Sequence, residues 1–414
     1  MSSIPVPLPR LGIDLVSDET QMRAGAVRAA VNVDIDRAGQ FRRRGGWASA
    51  TPGAAPWSSL HAWAGRLMAQ RGAQVLRIDP DTMAEAVVGV LGSDAPVDFA
   101  EYNGDLYLCS PAGLWRLRAG EDEAHPAGVR LPDTLPDLKA SDAGTLTPGR
   151  YMVAVALVDG RGEESPAGLL GAVQSAAGLR LEGLPVLPDC RWRVYVSPPD
   201  GDVLYLAEEF AAVWPQYAVT VYPGGAPCET LHRASMPGGH FVRGWAGRLY
   251  VAAGDTLWYS DALRPHLTAP QHNFVRFVGA IRFMEFLAGG AFVGDDRGVW
   301  WLAGTDPTAW TAEPASKAQA VARSSVLVPA HLLGVLESRS TRDCAVWLST
   351  EGHMVGMADG SVSALNSDRI RIAPGQAGRS VFLQRDGIAQ VITLTASHGP
   401  AHVFGAAVDT KGTP

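Results

Sequence analysis

Paired carboxylates are the first chemistry to look for, because two acids flanking one bond are what glycoside cleavage needs. Five aspartates are candidates: Asp255, Asp261, Asp295, Asp296 and Asp359. All but Asp261 fall in expected hairpin turns, such as Gly254-Asp255, Asp295-Asp296-Arg297-Gly298 and Asp359-Gly360. Aspartate is favoured there because its side chain bonds its own backbone and tolerates a left-handed conformation. At each of these positions the turn role outweighs catalysis. Asp295-Asp296 offers oxygens to a hard cation, but Ca²⁺ wants about six or more, and no loop pattern supplies them. The ten histidines do not pair at metal-ligand spacing. His398 and His402 are four apart, but Gly399-Pro400 between them argues against a shared helical face. No nucleophile elbow, zinc-protease helix or phosphate-binding loop occurs. The expectation is no catalytic residue, no metal, no cofactor, and no enzyme.

Arg42-Arg43-Arg44 is the one basic cluster, a candidate face toward DNA or an acidic partner. On a strand, Arg43 points away from the other two, which weakens the patch, and a solvated strand end is the favoured reading. The twelve tryptophans carry more information. Trp63, Trp115, Trp245, Trp258, Trp300, Trp301 and Trp347 sit in short apolar runs or their lead-ins, where core packing explains them better than ligand stacking.

The elements that must position these residues are short strands. RLYVAA (248–253) and TLWYS (256–260) are joined by Gly254-Asp255, a hairpin signal. The same grammar recurs at 61–79, 101–118 and 286–302. Gly65 to Gly104 spans 39 residues and Gly247 to Gly290 spans 43. A repeat of roughly 40 residues built from hairpins points to β-propeller blades. A set of unrelated hairpins in a sandwich is the competing reading.

Composition agrees with an all-β chain. The 414 residues are 47% hydrophobic and 19% charged, enough for a sizeable core. The 46 glycines and 29 prolines mean frequent turns. The net charge of −7 excludes a general nucleic-acid binder, which needs a basic face. Cys109, Cys190, Cys228 and Cys344 are far apart and read as buried free thiols. MSSIPVPLPRLGIDL has no secretory pattern, and no apolar run approaches a membrane span. Synthesis and folding in a cytoplasm are expected.

The chain divides into five parts on this reading. Residues 1–23, with Pro5, Pro7 and Pro9, form an extended arm. Residues 24–135 and 231–405 are the two parts of a propeller of about six blades. Residues 136–230 are an inserted β-sandwich of short alternating strands, tolerated because loop closure costs little more with length. Residues 406–414 are a mobile tail. A hairpin at 26–44 is the candidate for closing the ring, and 315–322 for a short helix.

Two stretches carry a family resemblance. Ala30 to Gly45, an NVD…G…RRR-G hairpin, resembles the N-terminal signature of tail hub or nozzle proteins of tailed bacteriophages. Ala246 to Asp261 is similar to a blade stretch of the same proteins, and 149–222 to the fibronectin-type-III-like module of phage structural proteins. The resemblance implies a structural virion protein. It would form a homo-oligomeric ring, often sixfold, against neighbouring adaptor and portal-proximal tail proteins, with fibres or a tip as further partners. Such a ring retains and then passes double-stranded DNA without specific binding, and a neutral or acidic lumen suits it. The motifs are architectural, so no active-site residue carries over. The alternatives are a receptor- or glycan-binding tail component and, less favoured, a propeller-fold hydrolase or lyase.

Overall fold

A computed structural model describes residues 11–30, 33–35, 41–43, 57–222, 224–332, 343–385, 388–396 and 403–408. The chain is all-β, with two three-residue 3₁₀ turns, Pro307–Ala309 and Ala330–Leu332, as the helical elements among these residues. Six antiparallel sheets follow one another along the chain, each ordered as its strands come. The first blade is Ser58–Trp63, Arg66–Arg71, Gln74–Ile78 and Glu85–Val90; the second is Asp98–Tyr102, Asp105–Ser110, Gly113–Leu117 and His125–Pro126. The third is Phe241–Trp245, Arg248–Ala253, Thr256–Tyr259 and Phe274–Arg276; the fourth is Phe283–Leu287, Gly290–Gly294, Val299–Ala303 and Thr311–Ser316. Val326–Pro329, Asp343–Ser349, Gly352–Gly356 and Val362–Ala364 make the fifth. Ala377–Arg385, Ile388–Ala396 and Val403–Val408 make the three-stranded sixth. Meandering sheets whose first strands meet side by side are a β-propeller.

The blades are held by shared cores. Trp63, Met68 and Val75 of the first blade pack with Phe99, Leu106 and Leu108 of the second. Tyr102, Tyr107 and Cys109 then pack with Val242, Leu249 and Val251 of the third. Tyr250 and Leu257 meet Met284 and Phe286 of the fourth, and Phe283, Phe292 and Trp301 meet Trp347 and Met354 of the fifth. Val346 and Val355 meet Ala389 and Val391 of the sixth. A middle strand covered on both faces has no polar side, so Asp105–Ser110 and Gly290–Gly294 are buried at every residue.

The turns explain the glycine spacing. Ala64-Gly65, Asn103-Gly104 and Ala246-Gly247 are two-residue loops joining the first and second strands of their blades, and both residues of each have positive φ. That is the turn whose twist matches paired strands.

Between the second and third blades stands a fibronectin-type-III-like sandwich. Its three-stranded sheet is Asp137–Ser141, Gly178–Glu182 and Gln216–Val219. Its four-stranded sheet orders Gly168–Ser175, Gly149–Asp159, Cys190–Val196 and Tyr205–Ala211. Tyr151, Val153, Leu157, Trp192 and Val194 fill the space between them.

Three expectations are corrected. Residues 315–322 are not helical; Ala315 and Ser316 belong to Thr311–Ser316, the outer strand of the fourth blade, whose backbone is taken up in pairing with Val299–Ala303. Among the described residues the 26–44 hairpin does not complete a blade: Val33–Ile35 and Phe41–Arg43 pair only with each other, while Ala26–Val27 pairs in parallel with Gly12–Ile13. Of the extended arm expected over 1–23, the described residues 11–23 instead fold back in a loop onto 24–30. Arg28 Nη1 donates to Asp14 O at 2.9 Å, and Leu15 N donates to Arg369 O at 2.8 Å beside the fifth blade. Residues 1–10 and 409–414 lie outside the described residues.

Candidate functional site

The first strands of the blades bring single polar residues from distant sequence to the middle of the ring. Asp98 opens the first strand of the second blade, Arg243 is central in that of the third, and Glu285 in that of the fourth. Arg243 Nη1 donates to Asp98 Oδ2 at 2.7 Å and Nη2 to Glu285 Oε1 at 3.1 Å. Asp98 Oδ2 also accepts from Val242 N at 2.9 Å, and Glu285 Oε1 from Ser325 Oγ at 2.7 Å. Glu285 is 3% exposed. Burial alone would lower the Arg243 pKa, but Glu285 and Asp98 outweigh it and hold the guanidinium firmly protonated. One cation thus ties three blades together.

The ring continues on either side. His61, from the first blade, stacks on Phe99 at 5.5 Å, and burial pushes its pKa down. Arg323 precedes the first strand of the fifth blade and reaches across the ring. Its guanidinium lies over the Phe241 ring at 5.0 Å, and Nη2 is 3.5 Å from Pro96 O. Arg379 lies on the first strand of the sixth blade, exposed, with no ion pair or hydrogen bond of its side chain among the described residues.

A second cluster joins sandwich to propeller. Glu163, buried, accepts from Arg118 Nη2 at 3.3 Å and Gly128 N at 2.7 Å, and pairs closely with Arg116. Burial works against the Glu163 charge, but His266 and Arg116 more than offset it and lower its pKa. Glu164 accepts from Arg193 Nη1 at 2.5 Å, Tyr195 OH at 2.7 Å and Thr230 Oγ1 at 3.0 Å.

The sequence-level candidates are scattered. Asp295 accepts from Arg297 N, Gly298 N and Trp300 Nε1; Asp359 caps Ser361; Asp255 pairs with Arg276 and Asp296 with Arg282. Asp261 lines an open cleft of about 510 Å³ with Cys228, Glu229, Arg233 and Arg264. Both of its oxygens are engaged, by Arg233 at 2.5 Å and Asn273 at 2.9 Å. Among the described residues no group of three or more His, Cys, Asp or Glu is placed to hold a metal. Arg42 and Arg43 lie on Phe41–Arg43, with Arg43 exposed; Arg44 lies outside the described residues, as do His398 and His402.

Trp192 and Trp347 are fully buried, Trp63 and Trp301 nearly so, and Trp115, Trp245, Trp258 and Trp300 are half-buried in the cores. Trp214 is different: it is 62% exposed, on the sandwich, with Val213 and Val186 also exposed. All four cysteines are free, and burial pushes their thiols up, so none is a poised nucleophile. Among the described residues no helix is long and apolar enough to cross a membrane.

No family model matches the chain, and no curated protein does. Among solved structures it overlaps the N-terminal domain of Nup159, with TM-score 0.31, 8% identity, and coverage of 81% of this chain and 72% of that one. It overlaps the AfRom2 CNH domain with TM-score 0.27, 11% identity, and coverage of 85% and 94%. It overlaps Kluyveromyces lactis Hsv2 with TM-score 0.29, 7% identity, and coverage of 86% and 98%. Overlaps this loose say nothing of what the chain does.

Proposed function

We propose that this chain is a structural virion protein of a phage tail, a subunit of the nozzle or hub ring through which genomic DNA is held and then passed. The observation that supports an architectural role most is the use of the central charges. Asp98, Arg243 and Glu285 are spent on one another as struts between blades, so these central carboxylates act as fixed partners of a cation. The hairpin at 30–45 and the blade stretch at 246–261 point to the phage family. The test is mass by light scattering, for the purified protein alone and mixed with the portal-proximal tail proteins of the same genome. A ring-sized mass in either sample is expected. A monomer that ignores those proteins overturns the reading.

A second reading, a receptor- or glycan-binding tail component, is favoured by one observation. Trp214, Val213 and Val186 form an exposed apolar spot on the sandwich, where an aromatic face can stack on a sugar. Host-glycan binding by the wild type that Trp214→Ala abolishes, with unchanged thermal stability, would establish it. Binding that survives the substitution would remove Trp214 from the argument.

A further inference from the structure

The central charges do not balance, and the imbalance sits at one place. Arg243 is matched by Asp98 and Glu285, but among the described residues Arg323 and Arg379 have no carboxylate of their own. Their nearness is set by the backbone: Ala322 bridges Ala377 in parallel, and Gly378 N donates to Ala322 O at 2.8 Å. Arg379 is the next residue along that strand. Arg323 is held from both sides, with a left-handed backbone at φ 63° and its guanidinium on Phe241. Its Nη1 is buried and has no hydrogen-bond partner among the described residues. A charged donor left in that state is costly, and such groups normally find an acceptor. The carboxylate whose charge bears on both, Asp98, is already committed to Arg243 and Val242 N.

We infer that Arg323 and Arg379 form a binding site for a small oxyanion of the phosphate or sulfate type at the middle of the ring. Its oxygens would accept from both guanidinia, which suit a multi-oxygen anion through their fixed fork of donors. The bound charge would also relieve the repulsion between the two cations. Consistent with that repulsion, burial and then Arg379 lower the Arg323 pKa to about 10. The ion is small because Arg323 already spans the middle of the ring from the fifth blade to Pro96 and Phe241.

The test is calorimetric titration of the full chain with inorganic phosphate in chloride buffer at constant ionic strength. Saturable binding is expected, with a matching rise in Tm. Arg379→Gln, at an exposed position that leaves folding intact, should weaken binding at least tenfold, and Arg323→Gln should do the same. Arg276→Gln, an exposed arginine on the rim of the third blade, should leave it unchanged. No saturable phosphate binding by the wild type overturns the inference. So does equal binding by Arg379→Gln, or equal weakening by Arg276→Gln, which would mean general attraction to a charged surface. Arg379→Gln decides the matter alone if Arg323→Gln fails to fold. None of these outcomes bears on the ring-sized mass that tests the tail reading.

Discussion

Arg243 shows how much one residue can hold. Replacing it with methionine keeps most of the side-chain volume but leaves Asp98 and Glu285 facing each other without a cation. Breaking a buried pair from one side is costly, so a loss of about 2–4 kcal/mol is expected, the lower end because solvent still reaches a quarter of Arg243. Urea unfolding of the variant checks this, and an unchanged midpoint would mean the triad is screened by water. The sequence hid this network. Arg243 in FVRGW and Glu285 in FMEFL are lone charges inside apolar runs, which is a signal of buried pairing. Nothing local says that residues 145 positions apart, Asp98 and Arg243, are partners. Apart from Asp261, the aspartates that drew attention were turn residues, as their glycine neighbours indicated, because turn chemistry is local and pairing across a ring is not.

At the scale of the hairpin, the two-residue turns make a sharper prediction. Ala246 has φ 45°, where a Cβ is strained, while the second blade places Asn103 at the matching position. Ala246→Asn should therefore raise stability by about 0.5–1 kcal/mol, read as a higher Tm, because asparagine tolerates the left-handed region. A lower Tm would mean that the alanine methyl packs usefully. A second prediction concerns the contact between the fifth and sixth blades. His353 is buried, with Asn366 Nδ2 donating to Nδ1 at 3.2 Å and Nε2 facing Thr393 Oγ1 at 3.1 Å. Asn366 Oδ1 accepts from His353 N at 2.7 Å, which fixes the amide and makes Nδ1 the acceptor. Burial lowers its pKa to about 4, below its ordinary 6.5. The unfolded chain therefore takes up this proton at a higher pH than the folded one. Stability is full above about pH 6.5 and falls as pH drops toward 4, by up to about 3 kcal/mol, then levels off for this group. Denaturation across that range should show the fall in wild type and a shallower one in His353→Gln. Hairpins were legible because their period and turn residues are local. The closing role given to 26–44 failed because strand alternation says that a hairpin forms, not which sheet accepts it.

At the scale of the molecule, the sandwich was visible as a break in the blade period, since its 143-residue gap exceeds one repeat several times over. Its attachment was not. Glu163 and Glu164 read as an ordinary charged turn, yet Glu163 binds Arg116 and Arg118 of the second blade and places the two bodies against each other, while Glu164 pairs with Arg193 inside the sandwich. Glu163→Gln keeps the shape and removes the charge. It should uncouple the sandwich from the second blade, splitting one thermal transition into two and speeding proteolysis between 124 and 136. A single unshifted transition would show that apolar contacts alone dock the domain. The sandwich also leaves and rejoins the ring at neighbouring blades, through a strand ending at Pro126 and one beginning at Phe241. A body held by two covalent leads cannot spin freely like a bead on one string. Any pull on it is divided between the second and third blades, whose first strands are joined by the Asp98–Arg243 bond. The insert is thereby a handle rather than a pendant, and force applied at its tip is delivered to the axis of the wheel.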